Sequence, residues 1–286
     1  MALLYDVSWE DYLMMPEMNP STLKHGAKSM LRLRRAIEGE CRPAASAVAV
    51  GNATHCIIAG ELDERYAVMP AFENHTANCT ATGAPSTSKA TKFYKEESAL
   101  WRLENEGREE LNEAQMMTAV KVANRIRKRA GDLIDQSHQE VVLTGEVCGV
   151  AMKTRLDGLC IDDPNALIWD IKTTSDISDA AFFRIFDRLG YGFSAAVHVE
   201  LLNQNGLATT EYKIIAAEVQ DDYDCRIIDV PLQLMDNVIS KVKEIAKEYK
   251  IARESNRWPG LPDAPLSVSN WAMDQWETEN ELQWKT

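Results

Sequence analysis

The chain has 286 residues, 45% of them hydrophobic, enough to bury a sizeable core as one large domain or two small ones. Its 44 acidic and 31 basic residues leave a net charge of −13, which argues against simple coating of nucleic acid, since phosphate binding shows as positive charge. No run of 18 apolar residues occurs, the N-terminus lacks a basic leader-like segment, and the six cysteines form no Cys-x-x-Cys pair. A membrane span, a secretory signal and a zinc ribbon are therefore not expected, and a reduced, cytoplasmic setting is.

In chain order, Ser21 after Pro20 reads as the N-cap of a helix running to about Gly39, and Pro43 ends that segment. Residues 44–59 are small, apolar and helix-compatible, and carry His55. Residues 71–90 mix Thr, Ser, Asn and Ala without periodicity and read as a loop. Helices are expected at about 90–106 and 113–135. Strands follow over about 139–173, with turns at Thr144-Gly145-Glu146 and at Asp162-Asp163-Pro164-Asn165. A helix should start at Asp176-Ile177-Ser178 and run to Leu189. Gly190-Tyr191-Gly192 separates it from another helix at 193–204, and Asn205-Gly206 is a turn. Strands at about 210–219 and 224–230 and a helix from Leu232 to Arg253 complete the pattern. The end is Pro-rich and then carries Trp271, Trp276 and Trp284, which suits packing or a partner better than disorder. No internal repeat is visible.

The chemistry concentrates in two adjoining strand segments. Val150 to Asp157 alternates in polarity and ends in an acid; Ala166-Leu167-Ile168-Trp169 leads into Asp170-Ile171-Lys172-Thr173-Thr174. Side chains alternate faces along a strand, so Asp170 and Lys172 share a side while Ile171 turns into the core. Two carboxylates on neighbouring strands suit a hard divalent cation, and a lysine beside them can orient water or steady charge on a phosphate. The competing readings are a strand-end surface ion pair for Asp170 and Lys172, and a turn role for Asp157 before Gly158. His55 on its apolar helix, read alone, would be a satisfied core histidine. Glu146 is assigned to the hairpin turn rather than to the site.

These residues resemble the signature of the PD-(D/E)xK nuclease superfamily, here Leu156-Asp157 … Asp170-Ile171-Lys172, with Leu156 where the superfamily name has Pro. Gly51-Asn52-Ala53-Thr54-His55 resembles the Gly-x-x-x-His segment of RecB-type members. The order of elements from Trp9-Glu10-Asp11-Tyr12 and Asn19-Pro20-Ser21-Thr22-Leu23 to Trp258-Pro259 is similar to the nuclease domain of RecE-type exonucleases. The resemblance implies an α/β fold, a restriction-endonuclease-like mixed central sheet flanked by helices. It implies a single domain over 1–286, with a mainly helical portion at 1–136, a catalytic core at 137–258 and a tail at 259–286.

The same resemblance implies a Mg²⁺-dependent deoxyribonuclease, with Mn²⁺ as the alternative ion, acting 5′→3′ on double-stranded DNA ends in phage-type recombination. Asp157, Asp170 and the carbonyl of Ile171 would hold the metal, Glu140 and His55 would complete one or two sites, and Lys172 would act on the water or the phosphate. No iron–sulfur cluster is expected, since no cysteine follows Cys225. The implied partners are double-stranded DNA ends, a single-strand annealing protein, and further copies of the chain in a closed ring, with no membrane. Lys24, Lys28, Arg32, Arg34 and Arg35, and Lys121, Arg125, Arg127, Lys128 and Arg129, would line its channel or else be ordinary solvated helix faces. One departure stands out. Where RecB-type nucleases carry Gln-x-x-x-Tyr, this chain has Ser194 and His198, and Tyr191 either stacks on the nucleic acid or packs in the core. Rival readings are a non-catalytic DNA-end-binding or assembly protein that kept the fold, and an endonuclease of the same fold.

Overall fold

The computed structural model describes residues 1–41, 45–72, 88–220 and 223–263, with the side chains of 45–47 set aside. The expected loop at 71–90 falls largely on 73–87, and the Trp-rich tail on 264–286; both lie outside the described residues.

A six-stranded sheet organises the molecule, in the order β1 (Ala2–Leu4), β4 (His138–Val147), β5 (Val150–Asp162), β6 (Asn165–Thr174), β7 (Ala208–Glu218), β8 (Cys225–Asp229). All neighbours are antiparallel except β6 and β7, which run parallel. That pair needs a crossover, and α8 (Asp179–Leu189) with α9 (Tyr191–Gln204) supplies it. A small parallel sheet joins β2 (Tyr66–Met69) and β3 (Glu109–Asn112).

Period-two alternation gives the main sheet two apolar faces. On one, Val141, Leu143, Ile168 and Ile214 pack with α9, α10 (Leu232–Ser255) and α3 (Met30–Ile37). On the other, Trp169, Ile171 and Ile215 pack with Ile126 and Ile134 of α7 (Glu113–Asp135) and Ile58 of α4 (Ala45–Ala59). The expected α/β architecture is the observed one, and most predicted elements fall within a few residues of place.

Three segments differ from expectation. The helix read over 21–39 is three pieces: α2 (Pro20–Leu23), a 3₁₀ turn (Lys24–Ala27) and α3. Gly26 passes so close to α10 that an added Cβ would lie 2.5 Å from Ile245, and extended Ser29 restarts the helix by accepting the Arg32 amide through its hydroxyl. The first hairpin turn is not at Thr144–Glu146, which stay in β4, but at Cys148-Gly149, both with positive φ. Gly190 alone separates α8 from α9, in the left-handed conformation; Tyr191 and Gly192 already belong to α9. β1, α1 (Trp9–Met14) and the short α5 (Leu62–Arg65), with α6 (Lys92–Glu104) before β3, complete the described chain.

Candidate active site

The β5–β6 ladder runs from Asp162–Asn165 to Gly158–Trp169 and stops there. One step further in that register Asp157 stands opposite Asp170. Beyond it β5 continues with β4 and β6 with β7 but not with each other, so the sheet forks between the two aspartates. Gly158 is required at the last rung, since a Cβ there would lie 1.9 Å from the Trp169 ring. Past the fork the Ile171 amide loses its strand partner and donates to Asp157 Oδ2 at 2.6 Å. In the β4–β5 register Glu140 falls opposite Asp157, and this rung too is missing: Glu140 has φ 54°, a strained value for a residue with a side chain. Glu140, Asp157 and Asp170 thus form one row across three strands.

Helix α4 brings the fourth residue. Gly51 approaches β6 so closely that a Cβ would sit 2.6 Å from Thr173 Oγ1. One turn on, that approach lets His55 Nδ1 reach Asp157 Oδ2 at 3.2 Å. The Gly-x-x-x-His spacing therefore has a steric reason in this chain. Lys172 forms an ion pair with Asp170 Oδ2, donates to the Ile171 carbonyl at 3.2 Å, and lies 5.1 Å from the centroid of the Tyr191 ring. Tyr191 covers the lysine rather than filling the core.

The structure thus gathers His55, Asp157, Asp170, Ile171 and Lys172. Glu140 is in the row, but its carboxylate pairs with Arg155 Nε at 3.0 Å. Arg155 also binds Glu61, just after α4. Neither was found from sequence, although Arg155 lies two residues before Asp157 and therefore on its side of the strand; Glu61 leaves no local signal. Lys24 sits nearby, donating to the Leu189 carbonyl at 3.0 Å. Burial and the neighbouring Lys172 charge push its pKa down.

Electrostatically the fork is crowded with acid. Burial pushes Glu140 up to about 7, helped by Asp157 and opposed by Arg155. Burial also raises Asp170, with Asp157 adding to the effect and Lys172 resisting. For Asp157 burial works against ionisation, yet His55, Lys172 and the Ile171 amide outweigh it and hold the carboxyl below its usual range. His55 and Lys172 are both raised: burial alone would lower them, and the aspartates win.

Four carboxylates, Glu61, Glu140, Asp157 and Asp170, face two permanent cations, Arg155 and Lys172. This surplus, and the two oxygens of Asp170 and Ile171 converging on one ammonium, fit a hard divalent cation in donor chemistry. Among the described residues no three His, Cys, Asp or Glu side chains form a ready-made metal cage; Asp157 is paired with His55 and Asp170 with Lys172.

Ser194 is half-buried and His198 is turned inward, its Nδ1 3.0 Å from the Tyr212 hydroxyl. The two basic clusters stand on opposite faces of the sheet, with α3 and with α7, and several members are locally paired: Arg34 with Glu38, Arg125 with Asp224, Arg127 with Asp135. No described helix is long and apolar enough to cross a membrane.

Residues 20–263 match the model of a family described as a PDDEXK-like domain of unknown function (DUF3799). The chain belongs to this family. The crystal structure of a protein from Eubacterium rectale, provisionally named an exonuclease, is similar over 92% of this chain and 97% of that one, with a TM-score of 0.61 and 17% identity. At that identity the likeness establishes the PDDEXK-like fold. Curated proteins give no match.

Proposed function

We propose that this protein is a Mg²⁺-dependent deoxyribonuclease of the PD-(D/E)xK superfamily. It works 5′→3′ from double-stranded DNA ends, as RecE-type exonucleases do, with Mn²⁺ able to replace Mg²⁺. The observation that carries the reading is the convergence of Asp157, Asp170 and Lys172 at the fork of the sheet. The provisional exonuclease name of the similar Eubacterium rectale protein supports it.

Asp157, Asp170 and the Ile171 carbonyl would hold the ion, with Glu140 and His55 beside them. When bound, the ion supplies Lewis acidity toward water and phosphate. The chain does the rest. Lys172, on the same side of β6 as Asp170, is placed to swing from the carboxylate to a phosphate oxygen and to steady its growing charge. His55 holds Asp157 in place, and the Ile171 amide fixes the same oxygen from the other side. Tyr191 over Lys172 limits the water reaching the ammonium. We also propose that further copies of the chain close into a ring and that a single-strand annealing protein takes up the product strand. Mass from light scattering tests the ring, and a monomer with and without a DNA end removes it.

The deciding experiment is incubation of the purified chain with linear and circular duplex DNA in Mg²⁺, in Ca²⁺ and in chelator. Loss of linear DNA alone in Mg²⁺ is expected, with Asp170→Asn reduced by about 10² to 10⁴. Ca²⁺ should bind and support little cleavage, because its looser coordination positions water poorly. Loss of both DNAs means an endonuclease. Loss of neither, with DNA still bound, means an end-binding protein.

A further inference from the structure

Arg155 has no place in the motif, yet its charged side chain is enclosed beside the fork. Its side chain is only 6% exposed. Its guanidinium spans two glutamates from different parts of the chain: Nη1 lies 3.3 Å from Glu61 Oε2 and Nη2 pairs with Glu61 Oε1, while Nε lies 3.0 Å from Glu140 Oε2. The Glu61 side makes hydrogen bonds. The Nε contact is an ion pair whose N–H is not aligned on the carboxylate, so that N–H finds no hydrogen-bond partner. Trp9 closes the group from outside, its ring 5.6 Å from Arg155 Cζ and 3.9 Å from Arg65 Cζ.

This arrangement is an anchor and a lever. Glu61 holds one edge of a planar fork firmly, which fixes where the Nε edge points. Glu140, with its strained backbone, meets that edge and forms no other ion pair among the described residues. A buried carboxylate opposite Asp157 would otherwise turn away from it, since both are negative. Holding Glu140 in the row against that repulsion needs a fixed positive charge on its far side.

We propose that Arg155 is a positioning residue. Clamped by Glu61, it holds the Glu140 carboxylate in the row with Asp157 and Asp170, so that Glu140 is available to a divalent cation. The inference rests on the metal-dependent reading above. Groups behind a metal ligand commonly set its affinity by 10- to 100-fold when they are changed. A lysine at 155 keeps the charge but cannot grip both glutamates at once.

The test is Mn²⁺ binding to the full chain, read from the loss of the free-ion electron paramagnetic resonance signal, with circular dichroism confirming the fold. Arg155→Lys should weaken binding about 10- to 100-fold. Glu61→Gln, which acts on the row through Arg155, should weaken it less but in the same direction. In a Glu140→Gln background, adding Arg155→Lys should change affinity by less than about twofold, because the lever then has nothing to hold. An Arg155→Lys protein within twofold of wild type overturns the proposal. So does an equal loss in both backgrounds, which would mean a general effect on the fold. If Arg155→Lys does not fold, the same cycle run with Glu61→Gln decides in the same two ways. Wild-type protein that binds no Mn²⁺ refutes the metal reading and the proposal together; wild-type binding with an unresponsive Arg155 refutes the positioning alone.

Discussion

Substituting His198 by Asn should flatten the acid side of the stability profile. His198 is 4% exposed, its Nδ1 is 3.0 Å from the Tyr212 hydroxyl, and burial with the Lys172 charge lowers its pKa from 6.5 to about 3. The folded state therefore keeps this imidazole neutral, while the unfolded chain protonates it as pH falls below about 6.5. The unfolded state then binds more protons, so stability is fully present above 6.5 and is lost progressively down to about 3. At pH 5 the unfolded imidazole is almost wholly charged and the folded one almost wholly neutral, a difference of about 1.5 decades or roughly 2 kcal/mol. That figure barely changes if the folded pKa is one unit higher. Asn offers an amide at about the position of Nδ1 and cannot titrate. Urea unfolding at pH 7.5 and pH 5 measures the effect as a difference between proteins, which cancels the other titrating groups. Wild type should lose about 2 kcal/mol more than His198→Asn over that interval. Equal losses would mean that His198 is solvated or charged in the native protein, and the buried pair with Tyr212 would be wrong.

Three further substitutions test the fork. Gly51→Ala places a methyl 2.6 Å from Thr173 Oγ1 and should cut cleavage by on the order of 10² by withdrawing His55 from Asp157; Gly51→Ala with Thr173→Ala should recover most of it, and no recovery refutes the steric account. Gly158→Ala meets the fully buried Trp169 ring at 1.9 Å, so a loss at the upper end of the roughly 1–3 kcal/mol usual for overpacking is expected, and an unchanged melting temperature would contradict it. Lys172→Met should lower the cleavage rate by about 10² or more while leaving Mn²⁺ affinity equal or tighter, because the ammonium that occupies the oxygen donors is gone; parallel loss of both would make Lys172 a structural residue.

Much of the candidate site's arrangement could be read from sequence because its geometry is local. A strand alternates faces, so Asp170 and Lys172 had to share a side with Ile171 buried behind them, and Ile171 is 1% exposed. A helix brings i and i+4 onto one face, so Gly51 at the helix–sheet contact places His55 beside the strand it touches. What stayed hidden depends on long-range contact. Glu61 meets Arg155 across 94 residues, and Lys153 donates to the carbonyls of Tyr12 and Met15 across 141 and 138 residues, at 2.6 Å each. The helix expected over 21–39 has adequate local propensity; what breaks it is the approach of Gly26 to Ile245. The hairpin turn was misplaced for a simpler reason. Thr144-Gly145 looks like a turn, but Gly145 lies under the α9 residues Leu201 and Gln204, which a larger side chain would strike, so its glycine serves packing.

The fork and the net charge of −13 are parts of one electrostatic problem. Each of the paired acids in the fork repels a nucleic-acid phosphate as strongly as it attracts a cation. Arg155 and Lys172 are the only permanent cations bonded to these carboxylates among the described ion pairs, and both are committed to acids. Lys24, a further ammonium within the electrostatic reach of Lys172, is held by the Leu189 carbonyl with its pKa pushed down. Without another positive charge, a phosphate in the fork would meet unscreened carboxylate in a partly dry environment, where Coulomb repulsion is several times stronger than in water. On the proposed function, a divalent ion would reverse that sign locally while leaving the outer surface acidic, so productive contact with DNA would be conditional on the metal. On the proposed function, the arginine- and lysine-bearing faces of α3 and α7 are candidate surfaces for DNA elsewhere on the chain. Because those lie on opposite sides of the sheet, they cannot both face the same duplex within one chain unless the duplex passes around its edge or is shared between copies.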